Sequence, residues 1–175
     1  MLKLQKFEKS DFDKLIGWLH DKRFLIQWAG PIFTWPLDEG QLDKYLKETK
    51  GGKPKRYIFR AINLAENRII GHIEIGPIDY ENSIGILSRV LIGEPKDRRS
   101  GYGMEMIKLA VGFGFNKISL SWINLAVFDF NEAAISCYKK VGFSEYELKE
   151  KTVKCGNECW DVIMMKLRKE DYLSG

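Results

Sequence analysis

The first six apolar and polar positions alternate: Leu2, Leu4 and Phe7 with Lys3, Gln5 and Lys6 set the two-residue period of a half-covered strand. The period then lengthens. Ser10 stands where an N-cap belongs, Asp13 falls in the first turn, and Phe12, Leu15, Ile16 and Leu19 form one helical stripe. Residues 24–36 are aromatic and aperiodic, broken by Gly30, Pro31 and Pro36, and read as irregular. Asp38 opens a second helix with Leu42, Tyr45, Leu46 and Thr49 on one side, and residues 50–54 form a loop. Strands are expected at 56–63, 69–76 and 84–92, then a helix at 104–115 and an apolar strand at 118–127. Asn131 caps a short helix that stops at Gly142, where a glycine with positive φ belongs. A hairpin at 149–155 and 158–167, turning at Gly156-Asn157, ends the chain.

The order β-α-α-β-β-β-α-β-α-β-β predicts a mixed sheet with helices on its faces, an α/β-type (α+β) layer sandwich formed as one domain over residues 1–175. No apolar run nears the roughly 18 residues of a membrane span, and the N-terminus lacks an apolar signal core, so a cytoplasmic protein with no membrane partner is expected. The net charge of +4, from 28 basic and 24 acidic residues, is too small to argue for nucleic acid. The three cysteines, Cys137, Cys155 and Cys159, are expected as free thiols. His20 and His72 lie far from them in sequence, so no metal is expected.

The segment after the third of these strands changes the picture. Val90, Leu91 and Ile92 end an apolar strand, a short basic loop carries Lys96, Arg98 and Arg99, and Gly101 and Gly103 open a helix. A helix start presents unpaired backbone N–H groups and the positive end of a dipole, and glycines let an anion come close. The pattern is a pyrophosphate site. It is neither a P-loop, since no G-x-x-x-x-G-K-[ST] occurs, nor a dinucleotide fingerprint, which would need glycine at Met106.

Arg98-x-x-Gly101-x-Gly103 resembles the [QR]-x-x-G-x-[GA] signature of the GNAT acetyltransferase superfamily. A second element follows: Asn131, Ala134, Tyr138, Gly142 and Phe143 resemble that family's N-x-x-A-x-x-x-Y-x-x-x-G-F run. The resemblance covers most of the chain. Trp160 in the late hairpin and the tract 101–105 look most like the ribosomal-protein N-terminal acetyltransferase branch, with spermidine and antibiotic-modifying acetyltransferases also similar.

The resemblance implies a GNAT-like acyl-CoA N-acyltransferase fold with splayed central strands, acetyl-CoA as cofactor, a primary amine as acceptor (a peptide N-terminus or a small molecule) and a homodimer. It implies that Arg98, Arg99, Ser100, Gly101, Tyr102, Gly103 and Met104 hold the pyrophosphate, that Val90, Leu91 and Ile92 pair with the pantetheine arm, and that Asn131 and Ala134 lie against it. Tyr138 is the expected proton donor to the leaving thiolate, since a phenol is protonated at neutral pH. Glu74, sharing a strand face with His72, is a candidate base acting through water. Trp28, Trp35 and Arg89 are candidate acceptor contacts; Arg89 could equally pair with Glu74. A CoA-binding sensor without turnover and an RNA-binding module are the rival classes.

Overall fold

The structure, a computed structural model, describes residues 1–174. Its strands are β1 (Leu2–Lys6), β2 (Tyr57–Asn63), β3 (Arg68–Asp79), β4 (Ile84–Ile92), β5 (Trp122–Phe128), β6 (Ser144–Cys155) and β7 (Glu158–Arg168). Its helices are α1 (Phe12–Trp18), α2 (Lys22–Ala29), α3 (Glu39–Lys47), α4 (Tyr102–Asn116), α5 (Glu132–Val141) and α6 (Lys169–Ser174). The strands form one sheet in the order β1-β2-β3-β4-β5-β7-β6. Every neighbouring pair is antiparallel except β4 with β5. This is the mixed α/β sheet expected from the sequence. No helix of the described residues is long and apolar enough to cross a membrane.

Successive residues of β2 point to opposite faces, and the core divides accordingly. Ile58 joins Phe12, Leu15, Leu25, Leu42 and Tyr45 beneath α1, α2 and α3. Phe59 and Ala61 join Met106, Ile107, Val111 and Phe115 of α4 and Val141 of α5. At Gly114, an added Cβ would lie 2.9 Å from Ile123 Cδ1 and 3.0 Å from Ile75 Cδ1, so α4 sits closer to the sheet than any side chain there would allow.

Three local expectations are corrected. Ser10 is not the first cap: Glu8 and Asp11 cap each other reciprocally around a 3-10 turn, and α1 follows from Phe12. Residues 24–36 are not wholly irregular, because α2 runs to Ala29 with Asp21 accepting from Phe24 N–H at 2.7 Å. Its eight residues are too few to show a period beside the following glycine and prolines. Strand β5 starts at Trp122, not 118, because Lys117 and Ser119, with φ +64° at Ser119, finish the helix end before it. The capping expectations at Asp38 and Asn131 hold, and Gly142 has φ +112°.

Candidate active site

The central irregularity of the sheet makes the site. Between β3 and β4 the register shifts, so that His72 faces Leu91 but Glu74 faces Ser88. Two residues of β4, Arg89 and Val90, therefore oppose the single Ile73, a bulge with Arg89 at φ +50°. A bulge bends its strand. Just before it, β4 leaves β5: their parallel pairing runs only from Ile84↔Trp122 to Ile86↔Asn124. The edge of β4 facing β5 from Leu87 onward thus has no strand partner.

A cleft of about 1160 Å³ opens in this gap. Small-molecule pockets are commonly about 300–1,000 Å³, so it has room for a long ligand and a second reactant. It is lined by Leu87 to Ile92 on one side and by Ala126, Val127 and Phe128 on the other. At the Ile92 end the chain turns into the basic loop. Asp97 is buried and takes two hydrogen bonds from Arg68, at 2.7 and 2.6 Å, which tie the loop to β3. Arg68 holds the Asp97 carboxyl below its ordinary value. Arg98 donates to Ile92 O at 3.1 Å and Gly93 O at 2.8 Å, so its guanidinium braces the turn.

Gly101, at φ +81°, is the N-cap of α4. A left-handed residue there is one glycine adopts without strain. The N–H groups of Tyr102, Gly103 and Met104 precede any intrahelical acceptor, and Gly101, Gly103, Met104 and Arg99 line the cleft. The arrangement suits a diphosphate at this end and an extended amide chain along β4. Ser100 and Tyr102 are off the wall: the Ser100 hydroxyl lies 3.4 Å from Arg98 O, and the Tyr102 hydroxyl accepts from Asn63.

Across the gap, α5 brings Asn131, Ala134 and Tyr138 to the cleft. Asn131 caps α5, with Oδ1 accepting from Ala134 N–H at 3.3 Å. Tyr138 is 7% exposed and packs edge-on against Phe143, ring centroids 5.9 Å apart. Its hydroxyl has no hydrogen-bond partner among the described residues, and burial pushes its phenol well above the usual value near 10. It is a proton-bearing group throughout the neutral range. Lys140 and Cys137 also line the cleft, at helical offsets from Tyr138 that the sequence pattern does not single out.

The candidate base is placed differently. Glu74 is fully buried. Its Oε1 accepts from Arg56 at 2.7 Å, from Ser88 Oγ at 2.8 Å and from Arg89; its Oε2 accepts from Tyr45. Three of the four donors converge on Oε1 and one reaches Oε2. Glu74 is absent from the cleft wall and sealed from solvent, so it does not face an acceptor in the cleft. It is a counter-ion. Arg89, at the wall, pairs with it through one guanidinium nitrogen.

Of the two tryptophans, Trp28 lines the cleft and stacks on Phe33 at 5.9 Å. Trp35 is 41% exposed and stands off the wall, although Gly30 and Ile32 of the same segment line it. It is not brought to the site.

His72 lies beneath, 1% exposed, against Phe7, Trp28 and Tyr45. Its Nδ1 is 3.1 Å from Arg89 O and is therefore the protonated nitrogen of a neutral ring. Burial lowers its pKa from 6.5 to about 3; the bond to Arg89 O opposes the shift and the Arg89 charge adds to it. Between pH 6.5 and about 3 the unfolded chain binds a proton that the folded one refuses. Stability therefore falls as pH falls through that window, by up to ~1.4 kcal/mol per pH unit from this residue. Urea unfolding between pH 4 and 7 should show a shallower pH slope in His72→Gln than in wild type. Equal slopes would mean that the ring is protonated in place.

A cleft that takes an extended chain on a strand edge and its phosphates at a helix start is that of an acyl-CoA-dependent transferase. The chain belongs to the GNAT acetyltransferases: the family's acetyltransferase (GNAT) domain matches residues 1–144. It is an acetyl-CoA-dependent acetyltransferase. The fold is similar to that of a Vibrio cholerae spermidine N-acetyltransferase in complex with CoA and spermine, with TM-score 0.84, 21% identity and 98% of each chain covered. It is also similar to a spermidine N-acetyltransferase chimera from Vibrio cholerae and hSSAT, with TM-score 0.83, 19% identity and 99% of each chain covered. At these identities the likeness carries the fold and not the acceptor. The ribosomal-protein branch suggested by Trp160 and residues 101–105 finds no support among these relatives.

Proposed function

We propose that this enzyme acetylates a primary amine by direct attack within the cleft, working as one cytoplasmic catalytic unit over residues 1–175. Bound acetyl-CoA supplies an acetyl thioester. The observation that carries the reading is the Tyr138 hydroxyl, unpaired in the gap between the splayed strands, with the unpartnered edge of β4 opposite. Gly101, Gly103 and Met104 hold the phosphates, while Val90, Leu91 and Ile92 give the pantetheine arm a strand to pair with. Backbone N–H groups on that edge stabilise charge developing on the acetyl oxygen. Holding both reactants in one cleft supplies proximity.

Tyr138 gives its proton to the departing sulfur and is reprotonated from the acetylated nitrogen through solvent. Its phenol is a weaker acid than a thiol, so a strong hydrogen bond to the sulfur is the main part of its contribution. With Glu74 occupied, the amine loses its first proton to solvent.

Thiol release from acetyl-CoA, followed with a colour reagent over peptide N-termini, polyamines, amino acids and aminoglycosides, tests the reading. Turnover with an amine class is expected. CoA binding with no turnover of any amine would make the chain a sensor instead.

A further inference from the structure

The far end of the cleft contains cations and no carboxylate. The phosphate end is fixed at the start of α4, and β4 runs from there to Leu87, roughly 17 Å at a strand's rise. Near Leu87 the wall includes Lys55 and Arg56 beside Gly76 and Pro77, and Arg89 and Lys149 line the cleft as well. No aspartate or glutamate lines the cleft among the described residues. The carboxylates that balance these cations stand behind the wall: Glu74 serves Arg56 and Arg89, and Glu48 serves Lys55 and Arg56. Three cations thus share two carboxylates, an excess of one positive charge. Among the described residues, Lys149 has one carboxylate partner, Glu147, at 3.6 Å on the surface.

Two further donors are unspent. Arg89 Nε and Trp28 Nε1 are sealed from solvent without a hydrogen-bond partner, on residues that form this wall and are 5% and 8% exposed. His72, next to both, stays neutral and adds no charge. A polycation meets net positive charge here, whereas an anion meets one uncompensated charge, with the two unpaired donors sealed within residues of the wall.

We propose, resting on the acetyltransferase reading above, that the acceptor is a small amine carrying an acidic group, a carboxylate or a phosphate. That group docks against Lys55 and Arg89 while the amine faces the thioester. The acidic group fixes the orientation. Spermidine and spermine, which carry no such group, are then poor substrates, despite the polyamine enzymes that share this fold.

The experiment uses matched pairs in the thiol-release assay: amino acids against their amides, phosphoethanolamine against ethanolamine, and spermidine alongside. CoA binding by calorimetry is run on the same preparation. The acidic member of at least one pair should exceed its neutral partner in kcat/KM by about tenfold or more, since a site with buried donors rejects an analogue that leaves them unpaired. The amino acid and phosphate pairs separate the two anion sources. Lys55→Gln, at a half-exposed position that should not disturb folding, should raise KM for the acidic amine about threefold to fivefold and leave KM for acetyl-CoA alone; Lys55→Arg should restore it. Preference for spermidine, or for the neutral member of every pair, overturns the proposal and leaves the acetyltransferase standing. CoA binding without turnover of any acidic amine also overturns it. Absence of CoA binding would instead sink the reading on which it rests.

Discussion

Tyr138→Phe should lower kcat by about 10²-fold or more while KM for acetyl-CoA changes little, because a positioned proton donor contributes roughly 10²–10⁴-fold. The substitution removes one oxygen and keeps the ring that packs on Phe143. The hydroxyl has no partner among the described residues, so its loss leaves no orphaned group and the fold should be as stable as wild type. The effect is confined to the step in which the thiolate departs, and a loss in kcat without a loss in affinity marks an interaction made in the transition state. The pH profile adds a second readout. Since burial holds the phenol above its usual value, the wild-type rate should climb with deprotonation of the acceptor amine and show no fall from Tyr138 below about pH 10. A mutant with wild-type kcat would remove Tyr138 from the chemistry and return it to the core of α5.

What the sequence disclosed and what it hid follow from the range of each signal. The phosphate loop and α5 are local: caps, a left-handed glycine and a helical register all lie within a few neighbours, so Gly101, Asn131, Tyr138 and Gly142 could be placed from the chain alone. The splay of β4 from β5 was expected only through family resemblance, because a bulge at Arg89 leaves no trace in the apolar pattern of residues 84–92. The fate of Glu74 was hidden for a different reason. Its four donors come from α3, β4 and the residue just before β2, up to 29 residues away. Alternation put Glu74 and His72 on one face correctly, but could not say that Tyr45 and two arginines fill that face. Trp35 misled because aromatics beside prolines look the same whether they wall a cleft or meet solvent.

Glu74→Gln is the change that separates a base from a counter-ion, and its effect on stability should be large. Arg56 and Arg89 are 6% and 5% exposed, and both lean on the one carboxylate. A neutral amide can still accept one or two hydrogen bonds, but it leaves two buried guanidinium groups facing each other with only Glu48 to serve Arg56. Removing one partner of a buried ion pair costs about 3–5 kcal/mol, so for a chain of this size the melting midpoint should drop by about 10 °C. The loss should be partly recovered in Glu74→Gln/Arg89→Met, which removes one stranded charge and keeps the volume filled. A positive coupling between the two changes in urea unfolding would measure that relief. Arg89, at φ +50° in the bulge that lines the opening between β4 and β5, is anchored to Glu74, and loss of the anchor should loosen that wall of the cleft. CoA affinity should therefore weaken along with stability in Glu74→Gln and stay weak in the double variant, which lacks the pair altogether. If Glu74→Gln instead melted with wild type, bound CoA normally and lost only kcat with a flattened pH profile, the carboxylate would be a base after all.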